Sequence, residues 1–309
     1  MRPGESIVSA PEERLTDDGS VTIFLFHGVI GKQRHQLRNY TRKHLPVDEF
    51  DRIIGRLRVL GTPVSMDQVL ENCESGKAFP KRAFAVTFDD GFENNFSVAR
   101  PVLERHNVPA TVYVTSGFVD ENGMSWIDRI ELAFEIIESG EITLPWSPQS
   151  CKFYDVSSKI SILDDIRLHV KSDPCIDADE FVRDIFSRLG LNEIRCSNDP
   201  LDLKMTWSQV RAWCAPGYTV GGHSHSHAIL SHLEPARLDA EIDQSLDFLR
   251  ERAGIVSPHY SYPEGMAHCF SPEVIAALKR RGIRCCPTAI DGVNAPSCDP
   301  FLLRRVMVV

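Results

Sequence analysis

The chain of 309 residues is long enough for one large domain or two ordinary ones, and its make-up, 42% apolar and 25% charged, describes a folded chain, not a disordered one. A formal net charge of -9, with no clustered lysines and arginines, excludes binding to nucleic acid through its phosphates and suits a neutral or polar substrate. Nine cysteines without CxxC spacing read as reduced thiols, and no window is apolar enough for an export signal or a membrane span. A cytoplasmic protein without a transmembrane segment is therefore expected.

In chain order, residues 1–20 form a polar stretch expected to be a mobile leader. "VTIFLFHGV" follows, a short apolar run bounded by turn residues, as a buried strand would be. "VDEFDRIIGRLRVLG" has apolar residues every three or four positions and predicts a helix. "AFAVTF" is the second buried strand and runs into Asp89 and Asp90, "FSVARPVLERHN" is helical, and "ATVYVT" is a third strand. From about residue 117 to 205 the alternation stops: helical and loop patterns dominate, with one doubtful strand in "EITLPW", and the region reads as an inserted helical cap. The helix "WSQVRAWCA" and the strand "YTVGGH" restore the rhythm, followed by the long helix "PARLDAEIDQSLDFLRERAG" and three further strand-like runs, "HYSYP", "IRCCPTA" and "FLLRRVMVV". About seven strands alternating with helices predict an α/β fold, either a barrel or a doubly wound sheet.

In such folds the loops leaving the C-terminal strand ends converge. They would bring Asp89 and Asp90 together with His223, His225 and His227 and with Tyr262, Pro263 and Glu264. An Asp pair before Gly91 also suits a turn or a helix cap. Two adjacent carboxylates in one pocket, however, need a compensating cation. A divalent metal held by one carboxylate and two imidazoles, with the second carboxylate left as a base, meets that need. The binding pair is His223 with His225 if the segment is extended, or His223 with His227 if it is helical; the two glycines and the following "AILSHLEP" favour a helical turn and the outer pair.

These residues resemble the NodB-type polysaccharide deacetylases, carbohydrate esterase family four. "TFDD" stands intact at Thr87–Asp90 and H-[S/T]-x-x-H at His223–His227, and the likeness extends over most of residues 20–309. The resemblance implies a distorted (β/α)7-8 barrel in residues 21–309 with the cap inserted at about 117–205. It implies one divalent ion, with zinc preferred and cobalt, nickel or manganese also acceptable, on Asp90, His223 and His227. Asp89 would be the general base, and His225 would stay off the metal. The family's third motif, R-P-P-Y-G, corresponds to Ser261–Gly265, which assigns the oxyanion-binding N–H to Glu264. Two family groups are missing: Ser261 replaces the motif's arginine, and "LLR" replaces the final L-x-H that carries the acid. Arg305 is expected to orient Asp89 in place of the lost arginine, with Arg304 the alternative. His27 is a possible proton donor to the leaving amine, and Tyr262, Trp126 and Asp128 would line the substrate cleft.

The implied activity is removal of an N-acyl group, acetyl by preference, from an amino sugar of a glycan, a lipid-linked sugar or a nucleotide sugar in exopolysaccharide or lipopolysaccharide biosynthesis. A lipid-linked substrate would place the protein peripherally at the inner membrane surface. The alternatives are a deformylase or other amidohydrolase on a related small substrate, and a non-catalytic glycan-binding protein of the same fold. Oligomeric state is left open.

Overall fold

The computed structural model describes residues 10–32 and 34–309. The first nine residues of the expected leader, and Gln33, lie outside the described residues. From residue 10 onward that leader is packed: Pro11–Arg14 forms a 3-10 turn, Leu15 rests on the core, and the Thr22 hydroxyl donates to the Arg14 carbonyl at 2.7 Å.

The chain then runs β1 (Val21–Phe26), β2 (Gly28–Ile30), β3 (His44–Pro46), α1 (Val47–Leu60), β4 (Thr62–Pro63), α2 (Met66–Ser75) and β5 (Ala83–Phe88). A π turn at Asn95–Ala99 leads into α3 (Arg100–His106), β6 (Ala110–Val114) and α4 (Ser116–Glu121). After these come α5 (Trp126–Ile136), β7 (Gly140–Thr143), β8 (Ser150–Phe153), α6 (Val156–Ser172), α7 (Ala178–Arg188), α8 (Trp207–Trp213), β9 (Tyr218–Gly222), α9 (Pro235–Ala253), α10 (Pro272–Arg280) and β10 (Val306–Met307).

The main sheet is parallel in the order β10-β1-β5-β6-β9, with β4 against the start of β5. Every residue of β1 and β5 is buried, which is why these strands read as unbroken apolar runs and not as alternation. Helix α1 covers them with Phe50, Ile53, Ile54 and Leu57, one stripe at helical spacing.

Past β9 the ring continues without regular strands. Ser261 N–H donates to Gly222, Tyr260 to Cys285, Cys286 to Pro300 and Thr288 to Leu303, and the last of these segments runs into β10 beside β1. The expected strands in "HYSYP" and "IRCCPTA" are thus extended segments with isolated bridges, and "FLLRRVMVV" is a strand only at Val306–Met307. Pro258, Pro263, Pro287 and Pro300 interrupt these runs, and a proline has no N–H to give a ladder. The result is an α/β barrel with one irregular side.

Helices α5, α6 and α7 and the β7–β8 hairpin bury a separate apolar cluster that includes Ile130, Phe134, Leu163, Ile166 and Val182, joined by Leu37 from the barrel. The "EITLPW" strand is real, and its partner Ser150–Phe153 has no apolar run to mark it, because only Phe153 of its four residues is buried. Buried Arg38 ties this cap region to the barrel through a two-pronged pair with Asp202, at 2.9 and 2.5 Å. Among the described residues no helix is long and apolar enough to cross a membrane.

Candidate metal centre and active site

The end of β5 turns sharply because Asp90 and Gly91 both take left-handed conformations, φ 73° and 75°. A side chain at Gly91 would also press on Val114, 3.0 Å away. This turn sends the two adjacent carboxylates to different partners, and so removes the repulsion that the sequence raised.

Asp89 meets Arg305 in a buried bidentate pair, Nη1 to Oδ1 and Nη2 to Oδ2, both at 2.8 Å. Arg305 also donates to the Ser261 hydroxyl at 2.9 Å and, through Nε, to the Thr288 carbonyl at 2.6 Å. Burial alone would raise the pKa of Asp89, but the guanidinium outweighs it and holds the carboxyl below its usual range. Arg304 points outward, to the Asp291 carbonyl.

Asp90 faces the histidines. Its Oδ1 lies 3.3 Å from His227 Nε2 and 3.6 Å from His223 Nε2, is buried, and has no hydrogen-bond partner. The ligand atoms of Asp90, His223 and His227 all lie within 4.8 Å of one another. His223 Nδ1 sits 2.9 Å from the Ser261 carbonyl, an acceptor only, so Nδ1 carries the hydrogen and Nε2 presents a lone pair toward Asp90. Burial keeps His223 below its ordinary range, hence neutral, whereas for His227 the opposing pull of Asp90 wins and raises it. An orphaned buried carboxylate oxygen beside two imidazole nitrogens fits a divalent metal ion.

The expected helical turn is absent. Ser224 and His227 both have positive φ, 62° and 63°, and the loop is held from outside: Ser224 N–H donates to the Tyr260 hydroxyl at 2.9 Å, and Glu241 accepts from the His225 and Ser226 amides at 2.8 and 2.5 Å. The outer histidines converge because the loop reverses, while His225 turns away to Ser116 at 2.9 Å and packs on Phe248. Gly221 and Gly222 are small for packing reasons, since a Cβ would meet the rings of Tyr113 and Tyr260 at 2.6 and 2.5 Å.

His27, just past β1, lines the same cavity with a buried, unpartnered Nδ1, and burial lowers its basicity. Glu264 takes φ 60°, and its N–H makes no hydrogen bond among the described residues. Tyr262 does not line the cleft: it is fully buried, stacks on Phe270, and its hydroxyl bonds the Phe301 carbonyl at 3.2 Å. Neighbouring residues of an extended segment point to opposite sides, so with Ser261 facing the site Tyr262 faces the core. Trp126 does line the cleft, whereas Asp128 lies beneath it, bound to Lys43 at 2.7 and 2.9 Å.

Lys43 Nζ is 3.9 Å from Asp90 Oδ2, and nothing in its local sequence announces it. Arg167 and Lys171 also line the cavity from the cap, and their four-residue spacing on α6 was a readable sign of a shared face. Lys171 reaches across to the Glu264 carboxylate at 2.5 Å; burial would raise that carboxyl, and the ammonium brings it down to about 2. The inner cavity is about 270 Å³ and opens into a groove of about 450 Å³ between cap and barrel, the two sharing Trp126, Lys171, His227 and Glu264.

The sequence model of a family described as polysaccharide deacetylase matches residues 76–286, well over half of the chain. A poly-beta-1,6-N-acetyl-D-glucosamine N-deacetylase of Staphylococcus aureus is 33% identical over 67 residues, which covers 22% of this chain and 23% of that protein. Solved structures with the same fold include the Streptococcus pyogenes deacetylase PplD, at a TM-score of 0.60 and 14% identity over 94% of this chain and 92% of that one. IcaB from Ammonifex degensii is similar at a TM-score of 0.58 and 16% identity, with the same coverage of each chain.

Proposed function

Because the chain belongs to the polysaccharide deacetylase family, we propose that its cleft hydrolyses the N-acetyl group of an amino sugar within a glycan, with a divalent ion on Asp90, His223 and His227. The observation that carries this reading is the convergence of those three ligand atoms beside a second carboxylate, Asp89, that has its own partner. A bound divalent ion would supply Lewis acidity, polarising the amide carbonyl and making water easier to deprotonate.

The chain's own groups would do the rest. Asp89, aimed by Arg305, accepts the proton of the attacking water. The unpartnered N–H of Glu264 donates to the oxygen that becomes negative as the carbonyl carbon turns tetrahedral. The C–N bond then breaks, the sugar nitrogen takes up the proton that Asp89 accepted from water, with neutral His27 the proposed relay that accepts a proton on one ring nitrogen as it gives one from the other, and the products are a free amine and acetate. The groove beside the cavity gives room for neighbouring sugars, and the substrate named for the staphylococcal relative, a β-1,6-linked N-acetylglucosamine polymer, supports a glycan chain over a free sugar.

The test is release of acetate and free amine from N-acetylated glucosamine oligomers by zinc-loaded protein. Saturable binding without release would overturn the reading in favour of a glycan binder, and formate release from N-formyl sugars alone would replace acetyl with formyl. Calorimetric titration should find one zinc per chain, and Asp90→Asn and His227→Ala should each weaken it by roughly 100-fold or more, as expected for loss of a ligand. Undiminished affinity in both variants would reject the ligand set.

Lys171 is expected to matter through Glu264. Removing the ammonium leaves a partly buried carboxylate unpaired in a left-handed turn and frees the N–H to swing. Lys171→Met should lower kcat about tenfold, a fraction of the loss on deleting an oxyanion donor outright. The double variant Lys171→Met, Glu264→Gln should recover part of it, and a double variant no better than the single one would count against the clamp.

A further inference from the structure

Cys73 and Cys298 are 225 positions apart in sequence, yet their sulfurs are in contact at 3.4 Å. Cys73 lies in the last turns of α2 and is 9% exposed; Cys298 follows a tight turn closed by its own N–H to the Ala295 carbonyl at 3.1 Å and is half-buried. Both pack in one apolar cluster with Cys285 and Leu303, so neither sulfur has a competing polar partner that would hold it away from the other. Cys285 and Cys286 are fully buried, and no other sulfur–sulfur contact occurs among the described residues.

We propose that Cys73 and Cys298 form a modification site, a thiol pair that a small-molecule disulfide such as oxidised glutathione converts to an intramolecular disulfide. Cys298, the more accessible of the two, attacks first: its thiolate displaces one glutathione thiolate and becomes a mixed disulfide. Cys73 then gives up its proton, attacks the Cys298 sulfur and displaces the second glutathione thiolate. Two protein thiols are oxidised by two electrons, one oxidised glutathione is reduced to two thiols, and no further reagent is needed.

The geometry suits this order. A disulfide bond is about 2.0 Å long, so the sulfurs need to close by roughly 1.4 Å, within reach of side-chain rotation. Contact with Cys73 lowers the pKa of Cys298, while the same contact, followed by burial, raises that of Cys73, so the more accessible member is the better nucleophile.

The bond would join α2 to the returning segment that, seven residues later, delivers Arg305 onto Asp89. A cross-link over so long a loop restricts the unfolded chain strongly, so oxidation should raise the melting temperature.

The experiment treats the intact native protein with oxidised glutathione, alkylates remaining thiols, and digests it without reductant for mass spectrometry. The expected result is a peptide pair joined through Cys73 and Cys298 with two hydrogen atoms lost. It should come with a melting temperature several degrees higher that reverts with dithiothreitol. In Cys73→Ser, Cys298 should instead stay capped by glutathione, and in Cys298→Ser Cys73 should resist oxidation. If either variant fails to fold, the wild-type digest decides alone. Wild-type protein in which both cysteines are separately alkylated or separately glutathionylated, or in which Cys298 is joined to Cys285, overturns the proposal.

Discussion

Asp89→Asn is expected to lower deacetylation turnover by roughly 1,000-fold, within the range of general-base contributions, while zinc affinity stays near that of the unaltered protein. The amide matches the carboxylate in shape and can still accept from Arg305, but it cannot take a proton from water. Zinc binding survives because Asp89 and Asp90 have separate partners: Asp89 is engaged by Arg305, whereas Asp90 Oδ1 faces the two imidazoles. The measurement pairs acetate release with zinc titration on the same preparation. Turnover within a few-fold of the unaltered protein would sink the assignment of Asp89 as base, and a parallel collapse of zinc affinity would make it a ligand.

Arg305→Met should damage both stability and rate. The pair is buried on both sides, and removing one partner leaves a buried charge without compensation, a loss of about 3–5 kcal/mol in unfolding free energy. Deacetylation should fall by roughly 100-fold or more, since Asp89 would lose the two short hydrogen bonds from Arg305, keep only the 3.4 Å one from the Ser261 hydroxyl, and tend to bind a proton. Arg305→Lys should not repair this, because one ammonium cannot match two parallel N–H···O bonds.

A compensating change separates fold from function. The Ser261 hydroxyl already touches Arg305, and the motif resemblance would align Ser261 with the arginine of the family's third motif. Ser261→Arg in the Arg305→Met background should therefore restore a guanidinium near Asp89 and recover part of the rate. A rate that stays at the level of the unaltered protein in Arg305→Met itself, measured where the protein remains folded, would refute the positioning role.

Which parts of the site were readable depends on how local their signals are. "TFDD" and "HSHSH" announce themselves because each follows a buried apolar run, and the C-terminal ends of parallel strands share one face. The geometry within each motif was less readable. The outer histidines converge through a loop with two left-handed residues, not through a helix, and that loop is shaped by Tyr260 and Glu241 from other elements. Tyr262 was misplaced because an extended segment shows both of its faces in sequence without saying which one is inward.

The amino-acid sequence alone determined the alternation of buried strands and helices and the four acidic and imidazole groups at two strand ends. These follow from hydrophobic period and short-range turn chemistry, which act between neighbours in the chain. Tertiary structure decided what no neighbour could: that Lys43, Arg167 and Lys171 come from the connecting loop and the cap to wall the cavity, that Asp89 is held by an arginine 216 residues away, and that the barrel closes through proline-interrupted segments. Beyond the four-residue spacing of Arg167 and Lys171, such contacts leave no trace in the sequence, because a charged side chain gains its role only when another element brings a counter-charge within a few ångströms in a place that water cannot reach.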